Sequence, residues 1–222
     1  SSAASDVYKR QVYKYNNGKI VVMMDLSPWI PSGLSRSQNG DLLVSMRSSD
    51  DDNYQSRVVR LAEKKEKQII QYDTEKKPLF SVGKNDCLLL AENGNGDICV
   101  ADFAGEAVVV VKPSGELGFK YQGNPSKQSE FLPLHIATDT YNQILVNDFS
   151  GDNIHILNYN GLILSVLQFP CNGGICVGPE GNLLTGDHFT GEILIIKYLQ
   201  PNAPNSTMAK RETVMSCEGL WY

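Results

Sequence analysis

Residues 95–103 read NGDICVADF, and the chain repeats that phrase: NGDLLVSM at 39–46, YNQILVNDF at 141–149 and EGNLLTGDH at 180–188. Aligned on Gly40, Gly96, Asn142 and Gly181, the copies are spaced by 56, 46 and 39 residues. A period of roughly 40–50 residues is that of one four-stranded blade of a β-propeller. The third copy lies among HIATDT, QILVND, NIHILNYN and GLILSVLQF, and the second among CLLLAEN, DICVADF, AVVVVKP and ELGFKYQ. Each set is four short runs rich in Ile, Leu and Val with polar turn residues between them. Asn-Gly begins at 17, 39, 93, 95, 160 and 172, which favours positive φ and tight hairpins. The run Val108–Val111 suits a strand covered on both faces. No segment of 12–199 carries a helical period with caps.

The sequence therefore predicts an all-β propeller of four-stranded blades, about four to five of them. A partial blade occupies 12–30, and full blades fall near 31–79, 80–129, 130–170 and 171–199. A divergent tail, 200–222, supplies at most one outer strand, ETVMS. An open arc leaves its end blades uncovered, so Val21–Met24 and Ile193–Ile196 are the expected exposed apolar edges.

A second regularity follows each phrase. Asp102, Asp148 and Asp187 end the second strand, Val108, Ile154 and Ile193 open the third, and Gly105, Gly151 or Gly191 lies between. A carboxylate at the mouth of a short hairpin satisfies turn N–H groups, and glycine relieves the tight backbone. These six residues read as structural. The first copy departs, with Met46 in the aspartate's place and a longer hairpin through RSSDDDNYQSR. Its three consecutive acids lack the alternating spacing of a Ca²⁺ loop.

Composition limits the function. A net charge of −5 argues against a general polyanion binder, and no apolar run approaches the length that crosses a bilayer, so no membrane partner is expected. Five cysteines at unrelated spacings, Cys87, Cys99, Cys171, Cys176 and Cys217, read as reduced thiols of a cytoplasmic protein. The histidines His135, His155 and His188 form no metal-binding pattern, and no nucleophile elbow is present, so neither metal nor cofactor is expected. Residues 1–11, SSAASDVYKRQ, look like translated sequencing-adapter read-through and are expected to be a non-native leader.

The repeated G-[DN]-[IL]-x-[VT]-x-D, with its I/V-x-[IV] six residues after the aspartate, resembles the NHL-repeat propeller. More closely, GDLLVSMRSSDDDNYQSRVVRLAEKKEKQIIQYD at 40–73, ENGNGDICVADFAGEAVVVVKPSGELGFKYQG at 92–123 and GICVGPEGNLLTGDHFTGEILIIKYL at 174–199 resemble the C-terminal NHL domain of animal tripartite-motif (TRIM) proteins. The family arginine before the third strand is matched only by Arg57; Ala107, Asn153 and Glu192 hold the other slots. The resemblance implies part of a six-bladed ring. It also implies a non-catalytic substrate-recognition module of a RING-type ubiquitin ligase that oligomerises through an upstream coiled coil.

The expected partner is a protein, held on the face that carries the hairpins between second and third strands, with Arg47, Tyr54, Phe103, Phe149, His188 and Phe189 as its contacts. RNA is the alternative partner, although the cations between Arg57 and Lys77 are interleaved with Glu63, Glu66, Asp73 and Glu75. A third reading is a metal-dependent hydrolase of gluconolactonase-like type, with Glu92, Asp139 and Glu180 at matching points of successive repeats as nearest candidates.

Overall fold

The computed structural model describes residues 2–50, 53–63, 65–83, 87–126, 130–168, 173–186, 191–198 and, for the backbone alone, 210–216. Nineteen strands and no helix make up these residues. Blade I holds β1 (Ser2–Asp6), β2 (Gln11–Asn16) and β3 (Lys19–Asp25). Blade II holds β4 (Ile30–Arg36), β5 (Leu42–Arg47), β6 (Ser56–Ala62) and β7 (Lys65–Ile70). Blade III holds β8 (Leu88–Glu92), β9 (Ile98–Asp102), β10 (Ala107–Val111) and β11 (Leu117–Tyr121). Blade IV holds β12 (Pro133–Thr138), β13 (Ile144–Asp148), β14 (Asn153–Leu157) and β15 (Ile163–Gln168). Blade V holds β16 (Ile175–Val177), β17 (Leu183–Gly186), β18 (Glu192–Lys197) and β19 (Lys210–Ser216). Within every blade, sequence neighbours pair antiparallel in plain meander order. The chain is a β-propeller.

Blades II to V each place their first strand innermost, because β4, β8, β12 and β16 touch one another in series. Blade I meets β4 through β1, as the second strands of later blades meet the next first strand. Its three strands therefore stand in second, third and outer positions. None of the main inter-blade contacts among the described residues joins β16 to β1.

The turns follow the chemistry of the sequence. Asn17 (φ 49°) and Gly18 (φ 78°) form the two-residue hairpin between β2 and β3, the pattern that suits the right-handed twist of strands. The turns after the inner strands place a left-handed residue at Gly40, Gly96 and Gly181, and in blade IV at Asn142 (φ 61°). Asparagine tolerates this region better than other residues with a side chain, which accounts for the one copy without glycine.

Four apolar clusters lie between blades, and together they are the core. Val12, Leu26, Val44, Met46 and Leu61 join blades I and II; Leu43, Leu79, Leu88, Ile98 and Val109 join II and III. Cys99, Val108, Tyr121, Phe131 and Val146 join III and IV; Leu145, Ile154, Leu183 and Ile196 join IV and V. Each fully buried aliphatic side chain stabilises the fold by about 1.5–3 kcal/mol relative to exposure. Strands β9, β10 and β13 are buried at every position, since both of their faces meet a neighbouring blade.

Candidate functional site

Two opposite faces gather the polar and aromatic side chains. The upper face carries the hairpins between second and third strands together with the connectors between blades. The lower face carries the turns after the inner strands.

On the upper face, Asp102 Oδ1 accepts the Gly105 N–H at 3.0 Å, and Asp148 Oδ1 accepts the Ser150 N–H at 3.2 Å. Each carboxylate also reaches back to the connector entering its own blade. Asp102 Oδ2 accepts the Ser81 N–H at 2.7 Å and its Oδ1 accepts the Ser81 hydroxyl; Asp148 Oδ1 accepts the Leu132 N–H at 3.0 Å. Positive φ in these hairpins falls on Glu106 (51°) and Asp152 (48°), not on Gly105 or Gly151. Gly105 supplies room instead: a Cβ there would lie 2.6–2.9 Å from the Asp102 carboxylate. Gly191 takes φ 71°, while Asp187, His188 and Phe189 lie outside the described residues.

The hairpins of blades III and IV bring Phe103 and Phe149 together, edge to face, with ring centroids 6.5 Å apart. Phe149 remains 45% exposed. Arg47 and Tyr54 lie on the hairpin of blade II and are half-buried. Beside them stands a feature absent from the sequence reading. Trp29, in the connector from blade I, carries the Arg57 guanidinium 4.0 Å above its ring. Arg57 also reaches Glu66 at 3.3 Å; burial lowers its pKa and Glu66 opposes that shift. The only signal for this pair was the arginine slot itself, which does not identify the ring it covers.

Beneath the upper face, between blades III and IV, the Tyr121 hydroxyl and His155 Nδ1 stand 2.8 Å apart. His155 Nε2 is 3.7 Å from Asp148 Oδ2, and Phe131 stacks on the imidazole with centroids 5.2 Å apart. This hydroxyl, imidazole and carboxylate are all buried, and the group packs two blades together. Burial, with the nearby Asp148 charge, raises the Tyr121 pKa and keeps the phenol protonated.

On the lower face, the three carboxylates of the hydrolase reading separate. Glu92 Oε2 accepts the Gln38 N–H and its Oε1 accepts Arg60 Nη2, both at 2.5 Å, so this side chain ties blade III to blade II. Asp139 Oδ1 accepts the Tyr141 and Gln143 N–H groups, and its Oδ2 accepts the Tyr198 hydroxyl at 2.9 Å. Glu180 is exposed in its turn. Among the described residues, no three His, Cys, Asp or Glu side chains converge in a way that could hold a metal ion. Glu92 and Asp139 are committed to structural partners and do not fit a shared cation. Four cations of the RNA reading pair with acids: Arg60 and Lys67 with Asp41, Arg57 with Glu66, and Lys77 with Glu75.

No protein-family model matches the chain, and no curated protein matches it significantly. Among solved structures, it is similar to a virginiamycin B lyase from Staphylococcus aureus: 15% identity over 94% of this chain and 64% of that one, with a TM-score of 0.64. A putative gluconolactonase gives 18% identity over 86% of this chain and 68% of the other, with a TM-score of 0.59. A gluconolactonase from Xanthomonas campestris gives 14% identity over 84% and 62%, with a TM-score of 0.52. The chain spans less than two thirds of the virginiamycin B lyase, 64%, and of a similar streptogramin B lyase, 63%. At these identities the likeness establishes the fold. It does not show the NHL or tripartite-motif families specifically.

The comparisons correct one expectation. The sequence reading took the chain to be non-catalytic, because it contains no recognised catalytic motif. The same propeller carries a lyase and lactonases, so a missing motif does not exclude an enzyme on this fold.

Proposed function

We propose that the upper face is a recognition surface and that Phe103 and Phe149 are its anchors, with an extended protein segment as ligand. The observation that carries this reading is the edge-to-face contact of two aromatic side chains 46 residues apart in sequence, one of them 45% exposed. Two adjoining rings on rigid hairpins offer a large apolar contact at low entropic cost, which is the make-up of an interaction hot spot. On the resemblance to NHL domains, the bound protein would be one marked for ubiquitin transfer. Peptide display on the full chain tests the anchors. Peptides selected on the wild type should lose about tenfold or more in affinity against the Phe103→Ala/Phe149→Ala double variant. Unchanged retention removes the proposal.

A second reading is that the same face holds a small substrate that the propeller converts, and the enzymatic identity of the similar structures favours it. Turnover of a simple lactone by the full chain, abolished by substitutions on this face, would select it over protein recognition. A binding constant for RNA that falls steeply with salt would instead favour the nucleic-acid partner.

A further inference from the structure

A cleft of about 390 Å³ separates blades I and II on the side away from the Phe103–Phe149 pair, within the size range of small-molecule sites. Its lining is mixed: Met23 from blade I and Leu34 and Leu42 from blade II supply apolar surface, and polar groups line the rest. Two cations enter it from opposite walls, Lys14 from β2 and Arg36 from β4. Strand alternation fixes this placement. Arg36 has the same parity on β4 as Leu34, which packs toward blade I, and Lys14 is paired across the sheet with Ala3, which packs toward blade II.

Among the described residues, neither cation has a carboxylate within 4.0 Å, as is also the case for surface cations such as Lys65 and Lys112. The Arg36 guanidinium lies along the Gly40 turn, at the rim of the cleft. Two like charges that line one cleft from solvent-exposed positions repel each other, and an anion between them offsets the repulsion. Asp41, which follows the Gly40 turn, is engaged by Lys67 and Arg60.

We propose that this cleft binds a small amphipathic carboxylate, its apolar body against Met23, Leu34 and Leu42 and its carboxylate between Lys14 and Arg36. The apolar side chains Met23, Leu34 and Leu42 in the lining favour a ligand with an apolar body over a bare inorganic anion, and the two cations disfavour a cationic ligand. The site lies in other blades than the anchors of the recognition face and does not rest on that reading.

Calorimetric titration of the full chain with octanoate and with octan-1-amine, which share a chain length and differ in charge sign, tests the site. Octanoate should bind at least about tenfold more tightly than octan-1-amine, and the Lys14→Gln/Arg36→Gln variant should lose about tenfold for octanoate only. Met23→Trp, which fills the cleft, should abolish octanoate binding. Both cations are exposed, so the double variant should keep its melting temperature, which confirms that the readout is binding and not unfolding. Absent octanoate binding, equal affinity for the two probes, or an undiminished affinity in the double variant each overturn the proposal.

Discussion

Blades I and III are built from similar strands and meet different fates. In blade III, β9 and β10 are buried at every position, between the Leu43–Ile98 cluster on one side and the Cys99–Val146 cluster on the other. In blade I, β3 exposes Ile20, Val21 and Val22, and its apolar contacts run to blade II alone. The sequence IVVMM is as apolar as ICVA. Position in the arc decides burial, because a propeller strand is covered only where it has a blade on each side.

The sharpest way to break this contrast is by thiol chemistry. Cys99 sits in blade III with no exposed surface and burial raises its pKa strongly, while Cys176 on β16 of blade V is exposed. Labelling with a maleimide, followed by peptide mapping, should modify Cys176 about 10³-fold faster than Cys99, which waits for unfolding of its blade. Comparable rates would mean that the centre of the arc opens as readily as its end.

Next in size is a pair of truncations. Ile98→Ala in blade III should cost about 4 kcal/mol in denaturant unfolding, and Ile20→Ala, at a position 71% exposed, under about 0.5 kcal/mol. Equal costs would show that the end blade is covered in solution by something that the isolated arc lacks.

Ion pairs sharpen the same point. Glu92, nearly buried, links two blades through Arg60, whereas Glu75 pairs with Lys77 in the open. Glu92→Ala should destabilise by about 3 kcal/mol, since it leaves a mostly buried guanidinium with only Asp41, 4.0 Å away, and Glu75→Ala by less than about 0.5 kcal/mol.

The smallest effect is one of pH. Burial lowers the His135 pKa from 6.5. The unfolded chain then binds the proton that the folded chain refuses, so this contribution to stability is complete above about pH 6.5 and is lost as pH falls toward the lowered value. His135→Gln should flatten that part of the stability profile; an unaltered slope would assign it to other groups.

Much of the architecture is legible in the sequence, because the repeated phrase encodes a two-residue alternation and a turn in the same ten residues. The turn chemistry at Gly40, Gly96 and Gly181 is local, so neighbouring residues suffice to read it. What escaped reading is long-range. Glu92 finds Gln38 and Arg60, 54 and 32 positions upstream, and Tyr121 finds His155, 34 positions downstream. Periodicity aligns such residues at equal heights without saying which side chains cross to the next blade. For that reason Glu92 and Asp139 read as a convergent carboxylate set, when each is bound to its own partner. Phe103 and Phe149 were readable singly as hairpin aromatics, but their contact depends on the angle between two sheets. The strand Ser2–Asp6 lies in the expected leader; its ladder with β2 rests on backbone hydrogen bonds, which small side chains neither favour nor obstruct.

The series of inner strands from β4 through β8 and β12 to β16 has an evolutionary corollary. Every interface from blade II to blade V repeats one type of join between inner strands, so duplicating or deleting a unit there alters the curvature of the array and leaves each remaining join intact. A gene for such a protein can change length in steps of about 45 codons without passing through an unfoldable intermediate.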